Sequence, residues 1–187
     1  MEPRRAATML AIYPDPRGDL VIPLTVRRDD LTSHAGEVSL PGGRVDPDDA
    51  DEVAAALREA WEEIGLPPDA IRVAGSLDEV WIPVSNFVLR PVVGTLDATP
   101  ALVAHDAEVA AIVELPLDAL FDADLVGEEE FTGGRGAWRV RAGAYRYAGL
   151  RVWGATALTL GMLARVLDDA GMASPASDGP GRSSAAT

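Results

Sequence analysis

The residues best suited to chemistry lie within positions 51–65, where the chain reads DEVAAALREAWEEIG. In a helix of 3.6 residues per turn, Glu59 and Glu63 are one turn apart, and Glu62 lies at the edge of the same group. Like charges at these spacings destabilise an isolated helix by about 0.2–0.5 kcal/mol per pair, and Arg58 is the basic residue nearby. Crowded carboxylates are typical of a site for Mg²⁺ or Mn²⁺. The alternative is an acidic helix face that contacts only water.

The opposite side of this helix is predicted to face the core. Apolar residues recur there at helical spacing, and they are Val53, Leu57, Ala60, Trp61 and Ile64. Acidic residues before the helix are cap candidates, and the helix is predicted to end at about Ile64. Gly65 is the expected C-cap, and the two prolines that follow prevent continuation. Other aromatic residues predicted to be core are Trp81, Trp138, Trp153 and Phe87.

Two apolar segments of strand length precede the acidic helix and are predicted to form a hairpin. They are Thr8 to Tyr13 and Leu20 to Val26, and the turn-rich sequence PDPRGD separates them. After a polar loop, Glu37 to Leu40 is predicted to be a short strand. Pro41-Gly42-Gly43 is predicted to be a sharp break, and the acidic helix begins shortly after it.

The rest of the chain indicates further strands and a second helix. The expected strands are Ile71 to Ala74, Glu79 to Leu89, Val92 to Leu96 and Glu108 to Leu115, followed by a helical turn at Leu117 to Phe121, a hairpin from Glu128 to Tyr147 and a helix from Gly154 to Ala170. We therefore predict an α+β fold with a mixed, mostly antiparallel sheet and two principal helices. One domain is expected over residues 1–172, and residues 173–187 are expected to be a flexible tail.

The composition excludes several kinds of chemistry. The 187 residues carry 30 acidic and 16 basic side chains, for a net charge of −14, and all 16 are arginine. Without Lys or Cys there is no P-loop lysine, Schiff base, thiol nucleophile or Cys-bound zinc. The acidic balance argues against nucleic-acid binding, and the longest uncharged run is too short to cross a membrane. We expect a cytoplasmic protein, and the sequence leaves homodimer formation open.

The second half of the acidic segment resembles the Nudix box. The box pattern R-E-U-x-E-E-x-G-U, where U is apolar, is matched by Arg58 to Leu66, and its opening glycine is matched by Gly43. The first half departs from the pattern, because Asp49 stands where a Glu is usual and one extra residue follows it. The acid that orients the box arginine is therefore left open among Asp49, Asp51 and Glu52.

The segment upstream is similar to an extra signature of coenzyme A pyrophosphatases within the Nudix superfamily. The matching residues are Leu24-Thr25-Val26-Arg27-Arg28, Leu31, His34-Ala35-Gly36-Glu37-Val38 and Pro41-Gly42-Gly43. Leu40 replaces a usual Phe, and Pro83 to Phe87 departs from the subfamily's T-P-x-G-F. The final strand and helix are also similar to that subfamily, so the resemblance spans about residues 8–169.

The resemblance implies a Nudix-like α/β/α sandwich and an enzyme that hydrolyses a phosphoanhydride with the help of divalent ions. It assigns metal binding to Glu59 and Glu63, and it makes Glu62 a further metal ligand or the general base. Arg58 completes the catalytic set, and we interpret it as pairing with an acid to hold the loop against the helix rather than as touching substrate.

Substrate binding is expected around the glycine loop. By the same resemblance, the candidates are Arg27, Arg28, His34, Glu37, Gly42 and Gly43, and a backbone carbonyl of either glycine offers one more oxygen to a metal ion. The two arginines suit phosphate because a guanidinium is a fork-shaped donor, although surface solubility would explain them equally well. Glu37 and Glu108 are outside candidates for the acidic set, and each is also explained as a polar strand residue.

Three functions fit the sequence. The first is Mg²⁺- or Mn²⁺-dependent cleavage of coenzyme A or its derivatives to 3′-phospho-AMP and 4′-phosphopantetheine. The second is the same chemistry on ADP-ribose, NADH or another nucleoside diphosphate derivative. The third, which the irregular first half of the box motivates, is a non-catalytic Nudix-fold binding module. In each case the expected partner is a small-molecule nucleotide.

Overall fold

In the first part of the chain, up to residue 116, the residues that the structure describes form eight strands and a single α-helix. The computed structural model describes residues 2–28, 37–83, 85–105, 107–133 and 138–172, with the side chains of 131–142 left out. The first elements are β1 (Arg4–Pro14), β2 (Leu20–Arg27), β3 (Val38–Ser39), β4 (Gly42–Arg44) and α1 (Glu52–Ile64). A 3-10 turn (Pro68–Ala70) leads to β5 (Arg72–Ser76), β6 (Val80–Ile82), β7 (Phe87–Thr95) and β8 (Val109–Pro116). A second 3-10 turn (Leu117–Leu120) precedes β9 (Val126–Gly133), β10 (Trp138–Tyr147), β11 (Leu150–Val152) and α2 (Gly154–Asp169).

Strand β1 lies in the middle of the main sheet. It pairs in parallel with β7 from Arg4 opposite Phe87 to Ile12 opposite Thr95, and it pairs antiparallel with β2 and β4. The remaining pairs among the described residues are antiparallel, with β3 and β8 on β2 and with β5 and β6 on β7. Strands β9, β10 and β11 form a separate antiparallel sheet. The prediction of a mixed, mostly antiparallel sheet is therefore confirmed.

Both faces of β1 are buried because side chains alternate along a strand. On one face, Met9, Ala11 and Tyr13 join a hydrophobic cluster with the buried residues of α1. On the other face, Leu10 and Ile12 join a cluster that contains the buried residues of α2. The two helices thus cover opposite faces of the sheet, which confirms the expected α/β/α sandwich.

Two local predictions are corrected by the strand pairing. Gly42 and Gly43 do not break the chain, because they begin β4 and pair with Thr8 and Ala7. The predicted strand from Glu79 to Leu89 divides at a turn that includes Pro83, and β7 continues through Pro91 to Thr95. The predicted strand from Val92 to Leu96 is the second half of β7.

The predicted core is wrong at two tryptophans. Trp61 exposes 53% of its surface and Trp81 exposes 62%. Phe87 and Trp153 are half-buried, and the side chain of Trp138 lies outside the described ones. By contrast, the acidic residue Glu63 is buried, with 7% of its surface exposed. Helix α1 is thus oriented so that Glu63, rather than Trp61, packs against the rest of the protein.

The C-terminal segment 173–187, predicted to be a flexible tail, lies outside the described residues, and the predicted domain limits stay a prediction. In the part of the chain that the structure describes, no helix is both long enough and apolar enough to cross a membrane.

Candidate active site at the glycine strand and helix α1

The two ends of α1 are fixed by local signals. Asp51 is the N-cap, and its carboxylate accepts a hydrogen bond of 2.8 Å from the Ala54 N–H. Gly65 ends the helix with a φ of 67°, which is a left-handed conformation that favours glycine, and its N–H donates to the Trp61 carbonyl at 2.9 Å. The predictions for both caps are confirmed, and Glu59, Glu62 and Glu63 lie in the last two turns before the C-cap.

Glu63 is the buried carboxylate of the site. Its Oε2 accepts a hydrogen bond of 3.2 Å from the Gly42 N–H, which joins α1 to β4. Burial raises the pKa of Glu63 to about 7; the bond from Gly42 opposes this shift, and the nearby charge of Glu59 adds to it. The positive charge of Arg27 also lowers the pKa, which places that guanidinium within electrostatic reach of Glu63.

Gly42 and Gly43 leave no room for a side chain, because β1 approaches one of them closely and α1 approaches the other. A Cβ at Gly42 would overlap the Ala7 carbonyl oxygen and lie 2.7 Å from Thr8 Cα. A Cβ at Gly43 would overlap the carboxylate of Glu59. Burial also raises the pKa of Glu59, although Arg58 acts in the opposite direction. The strand is therefore seated between β1 and the two carboxylates that sequence analysis assigned to metal binding.

Arg58 connects α1 to the loop before it. Its Nε and Nη2 donate to the two carboxylate oxygens of Asp49 at 2.9 Å each, and Nη2 also donates to the Arg44 carbonyl at 3.1 Å. This pairing lowers the pKa of Asp49 and raises that of Arg58. Arg58 therefore pairs with an acid of the loop, as the sequence predicts, and its part in catalysis stays a prediction.

The three acids left open as partners of Arg58 have separate tasks. Asp49 makes the two-pronged contact, Asp51 caps the helix, and Glu52 accepts a hydrogen bond of 2.7 Å from Arg5. The irregular spacing in the first half of the box therefore leaves the arginine contact intact, with a shorter acid in place of glutamate.

The predicted metal ligands Glu59, Glu62 and Glu63 contact different partners, and their joint binding of an ion stays a prediction. Among the residues that the structure describes, no group of three or more acidic, histidine or cysteine side chains is arranged to hold a metal ion. Arg58 holds two of these carboxylates, since its Nη1 donates to Glu59 at 3.0 Å and to Glu62 at 3.1 Å. Glu63 instead faces Gly42.

Three of the predicted substrate residues, Arg27, Arg28 and Glu37, lie near the end of β2 and the start of β8, whereas Gly42 and Gly43 lie on β4. The Arg27 N–H donates to the Glu37 carbonyl at 2.9 Å, and the Arg28 N–H donates to the Glu108 carbonyl at 3.2 Å. The side chains of Arg27 and Glu108 form a long ion pair of 3.8 Å. His34, the remaining candidate, lies outside the described residues.

A cleft of about 600 Å³ lies beside the C-terminal half of α1. Its acidic lining consists of Glu59, Glu62, Glu63 and Glu108, so the outside candidate Glu108 joins the predicted set, whereas Glu37 does not line it. The rest of the lining includes Trp61 and residues 103–105, which sequence analysis did not select. Because residues 103–105 have no distinctive pattern, no signal in the sequence could have found them.

The family model of the NUDIX domain matches the sequence over residues 2–132. This match covers more than half of the chain and includes β1, β4 and α1. This chain belongs to the Nudix family. Its Nudix box is the segment in which Gly43, Arg58 and the three glutamates meet.

The relatives agree with this assignment. The uncharacterized Nudix hydrolase NudL of Cronobacter sakazakii is 44% identical over 114 residues, which cover 61% of this chain and 58% of that protein. The chain thus matches less than two thirds of that relative's length. Among solved structures, a Nudix hydrolase of M. smegmatis, RenU, has a TM-score of 0.53 at 25% identity and covers 65% of this chain and 76% of that one. A MutT/nudix family protein of Enterococcus faecalis has a TM-score of 0.57 at 17% identity, covering 90% of this chain and 63% of its own, and supports the fold alone.

The residues of this Nudix site suit a hard divalent ion. Glu59 and Glu63 provide carboxylate oxygens, which Mg²⁺ and Mn²⁺ prefer, and both contact the backbone of the glycine strand. Glu62 is exposed at the edge of the cleft and, like Glu59, gives one carboxylate oxygen to Arg58. The fit therefore rests first on the two inner carboxylates, Glu59 and Glu63.

Proposed function

We propose that this chain is a Mg²⁺- or Mn²⁺-dependent hydrolase of the phosphoanhydride bond in coenzyme A or its derivatives. The observation that best supports the proposal is that the carboxylates of Glu59 and Glu63 lie against Gly43 and Gly42 of β4. Water adds to one phosphorus, the bridging P–O bond breaks, and one proton leaves the attacking water. The products are 3′-phospho-AMP and 4′-phosphopantetheine.

The acidic residues have different parts in this proposal. Glu59 and Glu63 would hold the ion, which supplies charge neutralisation for the phosphates and a more acidic water. Glu62 is a further ligand or the base that accepts the proton. Arg58 positions these groups through Asp49, because its guanidinium is occupied by carboxylates and by the Arg44 carbonyl.

Arg27 supports a phosphate-bearing substrate. Its ion pair with Glu108 is long, at 3.8 Å, and its Nε is buried without a hydrogen-bond partner among the described residues. At the Nη atoms, a phosphate oxygen would be a closer acceptor than the distant carboxylate of Glu108. In an otherwise acidic protein, such a local cation is what attracts a polyanion.

The resemblance of residues 24–43 to the coenzyme A pyrophosphatase signature is what favours coenzyme A over other nucleotides. The test is to incubate the protein with Mg²⁺ or Mn²⁺ and coenzyme A, ADP-ribose, NADH or nucleoside triphosphates, and to identify the products by mass. We expect 3′-phospho-AMP from coenzyme A, and greatly reduced turnover by Glu63→Gln. Asp69→Asn, an exposed acid in the 3-10 turn after α1, is the matched control.

The alternatives have distinct outcomes in this assay. Preference for ADP-ribose or NADH would overturn the substrate while keeping the chemistry. Binding of nucleotides with no turnover of any compound would favour a non-catalytic Nudix-fold binding module. Full activity of Glu63→Gln would contradict the assignment of that carboxylate.

A further inference from the structure

The cleft beside α1 has an apolar wall in addition to its carboxylates. Trp61 and Val103 line it, with 53% and 69% of their surfaces exposed. An indole is among the largest apolar groups a protein can leave in water, and neither the catalytic set nor the core uses this one. Its place in the cleft is therefore the feature of the site that the proposed hydrolysis leaves unexplained.

Backbone hydrogen bonds fix this wall to the end of the helix. The Val103 N–H donates to the Ile64 carbonyl at 3.0 Å, and the His105 N–H donates to the Glu63 carbonyl at 2.9 Å. Gly65 brings the chain close enough that a Cβ there would lie 3.6 Å from Val103 Cβ. The same turn of helix thus carries the buried carboxylate and supports the apolar wall.

Building on the proposed function, we infer that Trp61, backed by Val103, is a specificity-determining residue that stacks on the base of the nucleotide. The phosphates must lie near the carboxylates that hold the ion and near Arg27. The base, the 3′-phosphate and the pantetheine arm of coenzyme A then remain to be placed. Of these, the planar, neutral base is the part for which an exposed indole is the most suitable platform. A second phosphate is unsuited to this wall, because the Trp61 and Val103 side chains carry no charge and Glu62 is adjacent.

The test separates base recognition from catalysis. For coenzyme A, Trp61→Ala should raise KM roughly tenfold and leave kcat within about twofold of the wild type, whereas Trp61→Phe should keep most of the affinity. Trp81→Ala is the matched control, because Trp81 is similarly exposed but lies on β6 and does not line the cleft. It should change neither constant.

Direct binding identifies which half of the substrate the wall contacts. Calorimetric titration in Mg²⁺ uses 3′-phospho-AMP, which carries the base, and 4′-phosphopantetheine, which does not. We expect Trp61→Ala to weaken only the first by roughly tenfold. A loss confined to 4′-phosphopantetheine, or equal KM values for Trp61→Ala and wild type, would overturn the inference.

The two proposals fail in different ways. If the wild type hydrolyses no compound but binds 3′-phospho-AMP through Trp61, the hydrolase proposal fails and the base platform stands. If the wild type cleaves coenzyme A and Trp61→Ala binds both products normally, the hydrolase stands and the platform fails.

Discussion

Arg58 and Asp49 face each other through two hydrogen bonds of 2.9 Å, one to each carboxylate oxygen. The Asp49 side chain is 7% exposed and that of Arg58 is 27% exposed, so the pair is largely shielded from water. They are nine positions apart in the sequence, and their contact closes the loop between β4 and α1. The position of Glu59 and Glu62 depends on this pair, since both also bind Arg58.

Removing the acid of this pair should loosen the site. Asp49→Ala should lower the free energy of unfolding by about 1.5–3 kcal/mol, because a shielded charged hydrogen bond is lost, and urea denaturation measures the change. It should also reduce kcat, as Arg58 is freed to bind Glu59 and Glu62 more closely. Asp51→Asn is the control, since asparagine caps a helix as well as aspartate. Equal stability of the two variants would contradict the role of Asp49.

The two glycines of β4 should have different effects on stability and on Mn²⁺ binding when each is changed to alanine. At Gly42 the new Cβ meets fixed backbone of β1, so Gly42→Ala should destabilise the fold by about 1–3 kcal/mol. At Gly43 it meets the movable end of Glu59, so Gly43→Ala should fold with smaller loss and bind Mn²⁺ about tenfold more weakly. Thermal unfolding and Mn²⁺ titration compare them. Intact Mn²⁺ binding in Gly43→Ala would count against Glu59 as a ligand.

The buried Glu63 should make the metal-free protein less stable as pH rises. Its folded pKa, about 7, lies above the unfolded value, so the folded state binds the proton more tightly and stability falls between about pH 4.5 and pH 7. Carboxyls whose pKa is lowered in the folded state, such as Asp49, do not change the free energy of unfolding in this pH range. Their stabilising contribution is lost only at lower pH, where they become protonated. In EDTA, Glu63→Gln should be more stable than wild type at pH 8, by up to about 3 kcal/mol, and similar at pH 4.5. A constant difference between the two proteins would refute this.

Metal affinity should have the opposite pH dependence. An ion needs the deprotonated carboxylate, and a group with a pKa of about 7 is roughly one-tenth deprotonated at pH 6. Mn²⁺ should therefore bind about tenfold more tightly at pH 8 than at pH 6 and raise Tm more at the higher pH. Asp69→Asn should behave as wild type, while Glu63→Gln should lose both effects. Affinity that is independent of pH in the wild type would exclude Glu63 as a ligand.

Arg27 should act on substrate affinity. Arg27→Ala should raise KM for coenzyme A at least about tenfold with a smaller effect on kcat, because a charged hydrogen bond to phosphate is lost. Arg17→Ala is the control, as its side chain is 86% exposed in the turn after β1. Steady-state kinetics distinguish the two. An unchanged KM in Arg27→Ala would leave Arg27 as a surface cation.

Local patterns in the sequence were enough to predict the helix, its caps and most strands. Helix α1 ends at Ile64 because Gly65 takes a left-handed conformation, and both are read from neighbouring residues. The strands follow from apolar residues with a period of two or from short apolar runs. The box motif likewise pointed to the acidic turn, since its spacing lies within one helix.

Long-range packing decided what each side of that helix contacts. Periodicity assigned Trp61 to the core and Glu63 to the outer face, but β4 covers Glu63 and Trp61 is left in the cleft. Spacing alone could not choose among three acids for Arg58, and the loop path brings Asp49 to it. A helical period fixes the angles between side chains, whereas the positions of β4, β1 and residues 103–105 around the helix come from contacts between distant parts of the chain.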